Sequence, residues 1–255
     1  MIEYQKEGKI ATITFNRPEA LGALTVKGWE ELHEALVDFR DDDGLWIAII
    51  TGKGDKAFCS GADIKDMLPF IRKTAKKPWQ QPATIMRGLD LWKPLIAALN
   101  GLTLGGGLEI AVSCDIRIAS ENAKFGFPEV KVGMFPGGGS TQRLPRLIPQ
   151  GIAAELIFTG KIIDAQEAYR IGLVNKVVPQ DKLMYTAKEL AGNICEGGPL
   201  AVRTAKEAMI KGMSLGLEEG LQLESTLAPA VVFSEDFEEG ITAFAEKRKP
   251  KFRGK

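Results

Sequence analysis

Two runs, "WIAIITG" (46–52) and "PLIAALNG" (94–101), are nearly continuous in apolar residues. A strand of that kind has no face to give to water, so it must be covered on both sides. "IATITFN" (10–16) and "CDIRIAS" (114–120) are similarly β-rich, and "KFGF" (124–127) extends the series. Between the first strands, "TVKGWEELHEALVDFRDDD" has helical period, with Thr25 as N-cap and Glu31 and Glu34 early in the helix. Strands alternating with helices predict an α/β fold with crossover connections.

The texture changes after Pro136. "GGSTQRLPRLI", "GIAAELIFTG", "DAQEAYRIG", "DKLMYTAKELAGNICEG" and "PLAVRTAKEAMIKGM" read as helices, interrupted by the strand-like "LVNKVVP" (173–179). The last sixty or so residues read as wholly helical and end in the basic tail "EKRKPKFRGK". "IRKTAKKPWQQP" (71–82) is the most loop-like stretch, though helix can extend into it from either side. No internal repeat is detectable.

Composition then limits the function. The chain has 255 residues and is 45% hydrophobic, enough for a sizeable core in one large domain or a main domain with an appendage. Lys plus Arg equals Asp plus Glu at 33 each, so no electrostatic footprint for nucleic acid exists. Cys59, Cys114 and Cys195 are scattered and form no CxxC pair. Neither a disulfide framework nor a metal site is expected, and a reducing compartment fits. The N-terminal residues lack the marks of a signal peptide, and no apolar run approaches a membrane span. The expectation is a soluble cytoplasmic protein. The single histidine, His33, lies in "WEELHEALVDF", on or beside a solvated helix face. No Ser–His or Cys–His nucleophile is then available, and acid–base chemistry falls to carboxylates, Lys, Tyr or Cys.

The glycines of "ALNGLTLGGGLEIAVSCD" (98–115) stand between a strand and a helix. Their spacing does not fit a dinucleotide-binding G-x-G-x-x-G, and the G-K-[ST] of a P-loop is absent. Two readings stay open: a tight turn for close packing, or a helix N-terminus that holds an anion or a developing oxyanion. Glu109 follows among Leu108, Ile110, Ala111 and Val112. A carboxylate in such a layer is paired or functional, unless it faces solvent from the first helical turn. Glu129 follows Phe125, Phe127 and Pro128 and precedes a second cluster, Gly137–Gly139. Pro128 disfavours helix before it, which places Glu129 on a loop after a strand.

"AFCSGADIKDM" (57–67), "LNGLTLGGGLEIAVSCDIRIAS" (99–120), "FGFPEVKVGMFPGGGSTQRLPRLI" (125–148), "FTGKIIDAQEAYRIGLVNKVVP" (158–179) and "FAEKRKPKFRGK" (244–255) together resemble, in order, the motifs of the crotonase superfamily, and within it the enoyl-CoA hydratases. The resemblance implies a spiral of ββα units over residues 1–195 and a helical trimerisation region over 196–255. It implies a homotrimer or dimer of trimers acting on acyl-CoA thioesters. No metal or other cofactor is implied, since coenzyme A is part of the substrate. Matched position by position, the oxyanion donors fall on the amides of Ala62 and Gly106, and the catalytic acids on Glu109 and Glu129. CoA contacts fall on Ser60, Ala62 and Ile64, with Lys56 and Lys65 beside them, and on Phe244 and Lys247 reaching a neighbouring subunit. Many hydratases have Gln where this chain has Phe127, and Ala-Ala where it has Cys59-Ser60. Met67, Leu68, Trp79, Phe127 and Phe135 are the candidate walls of the acyl pocket.

Keeping both glutamates favours addition of water to an enoyl-CoA over double-bond migration. An isomerase, a specialised dehydratase or thioesterase of the same fold, and a non-catalytic CoA-binding scaffold are the alternatives. The helix dipole is expected to keep Glu109 ionised, as the base for water. The aromatic surroundings of Glu129 are expected to keep it protonated, as the proton donor.

Overall fold

The structure is a computed structural model describing residues 1–77 and 81–255. Trp79 lies outside the described residues. Strand β1 (Ile2–Glu7) pairs antiparallel with β2 (Ile10–Phe15). Helix α1 (Val26–Asp41) starts where expected: the Thr25 hydroxyl accepts from the Gly28 amide at 3.1 Å.

From there the backbone path repeats. β3 (Ile47–Gly52) enters a six-stranded sheet, β4 (Ala57–Cys59) enters a four-stranded one, and α2 (Ile64–Ala75) completes the turn. β5 (Leu95–Leu99), β6 (Leu102–Leu104) and α3 (Gly106–Ser113) do the same. β7 (Ile116–Ser120) and β8 (Lys124–Gly126) begin a third turn, closed by a 3-10 turn at Pro128–Val132 and by α4 (Ser140–Leu147) and α5 (Gln150–Thr159). Equivalent strands of successive turns pair in parallel, β3 with β5 with β7 and β4 with β6 with β8. This is the spiral of ββα units. The repeat lies in the path of the backbone, and the sequence shows none because the connections between equivalent strands differ widely in length.

β9 (Ile162–Asp164) closes the small sheet antiparallel to β8, and β10 (Lys176–Val178) closes the large one beside β7. Helix α6 (Ala165–Arg170) lies between them, and α7 (Leu183–Ile194) follows. The large sheet is covered on both faces, which explains the continuous apolar runs. Ala48, Ile50, Ala97, Leu99 and Ala119 point into the main core. Their neighbours Ile47, Ile49, Ile96, Ala98 and Ile118 join Leu183, Ala187 and Ala191 of α7 in a second core.

Asn100 joins the two sheets. Its buried amide donates toward the carbonyls of Gly52, Gly54 and Ala57, and its Oδ1 accepts from the Gly52 amide at 3.0 Å. The turns that lead from the large sheet to the small one are thus fixed to each other.

Three helices end the chain: α8 (Pro199–Gly212), α9 (Leu217–Val232) and α10 (Glu235–Ala245). No residue of α9 is buried. The basic tail beyond them is tied down. Asp236 accepts from the amides of Arg253 (2.6 Å) and Gly254 (2.7 Å), and Arg248 pairs with Glu239. His33 is half-buried, with Nδ1 against the Ala83 carbonyl.

Candidate active site

The site forms where two successive turns of the spiral leave the small sheet. After β4 the chain turns through Ser60–Asp63, held from below by the segment before α1. The Ser60 amide donates to the Leu21 carbonyl at 3.0 Å, Leu24 donates to the Gly61 carbonyl at 2.9 Å, and Asp63 donates back to Leu24 at 2.8 Å. This pattern leaves the Ala62 amide out of the ladder. Arg17 anchors the same loop through Asp63 at 2.7 Å. Cys59 contributes too: its sulfur accepts from the Gly61 amide at 3.4 Å. Burial pushes this thiol up to about 12, so it stays protonated and serves the turn.

One turn later, β6 runs into Gly105, whose φ of 50° and ψ of −125° suit only glycine. Helix α3 begins at Gly106, and the first helical amides have no intrahelical acceptor. The two residues lie close together: a Cβ placed on Gly106 would lie 3.9 Å from the Ala62 nitrogen. At Gly107 a Cβ would overlap the Cys59 carbonyl, so the close approach of helix and loop requires glycine there. The cluster therefore serves close packing at Gly107 and opens a helix at Gly106.

The two carboxyls flank this pair of amides. Glu109, on the first turn of α3, is only 6% exposed. Its Oε1 accepts from the Gly138 amide at 2.6 Å and from the Ser140 amide at 3.4 Å. Glu129, in the 3-10 turn after β8, brings Oε1 to 3.1 Å from where a Gly105 Cβ would stand. Its Oε2 is buried and has no hydrogen-bond partner among the described residues. Glu109 is pushed up to about 7, first by desolvation and then by the charge of Glu129. The amides of Ser140 and Gly138 and the charge of Arg143 pull the other way. Glu129 is also raised, by desolvation. Burial beside a second carboxyl thus opposes the ionised form of Glu109 that the start of α3 favours. Both carboxyls are thus harder to ionise than a free glutamate.

The remaining candidate residues divide into groups. Ser60, Ile64 and Lys65 lie on the Ala62 loop and the start of α2, and Lys56 lies just before β4; Ile64, Lys56 and Lys65 are exposed. Met67 is buried under α2 and Leu68 is half-buried. Phe127 is fully buried in the main core, whereas Phe135 is 65% exposed. Phe244 lies in the last turn of α10 and Lys247 just beyond it, both exposed. Sequence reasoning missed Gly138 and Arg143. One of the three glycines at 137–139 supplies a key amide, and Arg143 is one of several cations in its stretch; neither carries a signal of its own.

Comparison with known proteins agrees with this geometry. The chain is 47% identical over 246 residues to a short-chain-enoyl-CoA hydratase of Clostridium acetobutylicum, covering 96% of this chain and 94% of the relative. It is 44% identical over 252 residues to a crotonyl-CoA hydratase of Syntrophomonas wolfei, covering 98% and 97%. The crystal structure of an enoyl-CoA hydratase from Bacillus anthracis superposes with a TM-score of 0.93 at 40% identity, covering 100% of this chain and 99% of the other. The sequence pattern of the enoyl-CoA hydratase/isomerase family matches residues 5–255. A family match over nearly the whole chain, close relatives at 44–47% identity and a shared spiral fold show that the chain belongs to the enoyl-CoA hydratase/isomerase family.

Proposed function

We propose that the protein is an enoyl-CoA hydratase: it adds water across the 2,3 double bond of an enoyl-CoA thioester, or removes it in reverse. The observation that carries this reading is the pair Glu109 and Glu129 beside the open amides of Ala62 and Gly106. An α,β-unsaturated thioester is a weak electrophile until its carbonyl oxygen can accept charge. Two fixed N–H donors stabilise the enolate oxygen, each worth about 3 kcal/mol. Water attacks Cβ and gives its proton to one carboxyl while the other protonates Cα, so the product is a 3-hydroxyacyl-CoA. The pair begins and ends with one proton, and the reaction needs no redox group.

We assign the base to Glu109, because two backbone amides on Oε1 favour its ionised form and leave Oε2 for water. The proton donor is Glu129, whose buried and unpartnered Oε2 suits a neutral hydroxyl. The CoA moiety runs past the exposed Lys56, Ile64 and Lys65, and the acyl chain lies toward Met67, Leu68 and Phe135. The unburied helix α9 and the exposed Phe233 and Phe244 support a C-terminal region (196–255) that assembles a homotrimer or a dimer of trimers. In that assembly Phe244 and Lys247 reach a neighbour's CoA. No helix among the described residues is long and apolar enough to cross a membrane, and the free cysteines suit the cytoplasm.

Loss of the enoyl-thioester absorbance of crotonyl-CoA on adding the protein tests the activity. Turnover that Glu109→Gln abolishes is the expected result. A protein inert toward linear, branched and cyclic enoyl-CoAs refutes it and favours a scaffold.

A further inference from the structure

The second glycine cluster separates Glu109 from a cation. Arg143, on the second turn of α4, is half-buried, and its guanidinium spreads over three carbonyls. Nη1 donates to Gly138 at 3.4 Å, and Nη2 donates to Met86 at 2.8 Å and to Ile85 at 3.4 Å. The amide of the same Gly138 donates to Glu109. One residue is therefore gripped by Arg143 at its carbonyl and by the acid at its nitrogen.

The glycines make room for both groups. A Cβ on Gly138 would lie 2.5 Å from Glu109 Oε2, and one on Gly139, at φ 113°, would run into the guanidinium. Arg143 has no carboxylate within ion-pair distance among the described residues, and the opposite charge it senses is that of Glu109. Three charged groups bear on this arrangement: Glu129 from the 3-10 turn, Arg143 from α4, and Arg87, which donates to the Gly137 carbonyl at 3.4 Å and opposes Arg143. The Thr84–Arg87 turn that Arg143 holds belongs to the α2–β5 connection and carries the buried Met86. The guanidinium thus ties that connection to the loop that orients Glu109.

We propose that Arg143 is a positioning residue for the carboxyl pair: its fork fixes Gly138 so that the Gly138 amide stays on Glu109, and its charge lies on the far side of that same residue. This rests on the hydratase reading. Arg143→Met and Arg143→Lys test it through the pH profile of kcat/KM with crotonyl-CoA. A second readout needs no turnover: the carboxyl infrared band of protein labelled at the glutamate carboxyl carbons, followed against pH.

Removing a cation makes ionisation harder, so the upper midpoint moves up by about one pH unit in Arg143→Met. Its kcat falls roughly 10- to 100-fold, because the acid is misplaced. Arg143→Lys keeps the charge and loses the fork: its midpoint stays with wild type while its kcat falls. If Arg143→Met does not fold, an Arg143→Lys protein with unchanged kcat overturns the proposal. A folded Arg143→Met protein whose profile and infrared midpoint superimpose on wild type also overturns it. A wild-type protein that hydrates no enoyl-CoA, with an infrared midpoint that still moves in Arg143→Met, supports the role of Arg143 and refutes the hydratase reading instead.

Discussion

Glu109 is held where a carboxylate is costly. Its carboxyl is raised from the usual 4.5 to about 7, mainly by desolvation. A group whose folded pKa lies above its unfolded value favours folding fully below the unfolded pKa, and that contribution is lost as pH rises through the folded one. The native state therefore gives up stability between about pH 4.5 and 7, on the order of 3 kcal/mol for this group. Glu109→Gln keeps an acceptor for the Gly138 amide without the charge. It is expected to melt at a higher temperature than wild type at pH 8, with the difference vanishing toward pH 4.5. A Glu109→Gln protein no more stable than wild type at pH 8, by calorimetry, contradicts this. Gly105 is the other sensitive residue. A methyl there would stand 3.1 Å from Glu129 Oε1, on a backbone with φ at 50°. Gly105→Ala is expected to lose about 1–3 kcal/mol from backbone strain and most hydration activity from displacement of Glu129. Chemical denaturation and the crotonyl-CoA assay measure the two losses separately.

Among the elements, the turns between sheets matter more than the strands. Asn100 satisfies polar groups of three residues of the β3–β4 turn at once, and no apolar residue of similar size can do so. Asn100→Leu is expected to destabilise the fold by about 2–4 kcal/mol, since it leaves buried carbonyls and an amide unpaired. A urea midpoint within error of wild type would remove Asn100 from this role. The same elements show what the sequence made legible. β3, β5 and β7 stood out because each feeds two cores with alternate residues. The start of α1 was legible because Thr25 caps it. β4, β6 and β9 have three residues each, too few for any period to show. β1 is half-buried to exposed and reads as polar, and α2 runs to Ala75, into the stretch that looked most loop-like. Glu109 and Glu129 stood out as carboxylates among apolar and aromatic neighbours, whereas Ala62 and Gly106 came only through motif resemblance, because a backbone amide carries no side-chain signature. The coupling that raises Glu109 was not legible, since it depends on Glu129 arriving from the next turn of the spiral.

At the scale of the whole molecule, the C-terminal third presents apolar surface that a lone chain leaves in water. Phe233 and Phe244 are each 86% exposed and Leu217 is 83% exposed, while α9 buries nothing. Single exposed apolar residues are ordinary, but several on neighbouring helices are what the proposed assembly would cover. The native mass is expected at three or six times 27.7 kDa, and Phe233→Glu is expected to lower it. A monomer by light scattering contradicts the assembly. The central claim joins these scales: as proposed, the spiral brings acids from two successive turns to bear on one water beside two open amides. Hydration rates of wild type, Glu109→Gln, Glu129→Gln and the double variant test it most directly. If the acids act as a unit, each single variant loses about 100- to 10,000-fold in kcat, and the double variant is scarcely slower than the worse single one. Losses that multiply in the double variant, or a single variant that retains wild-type hydration, would contradict the account.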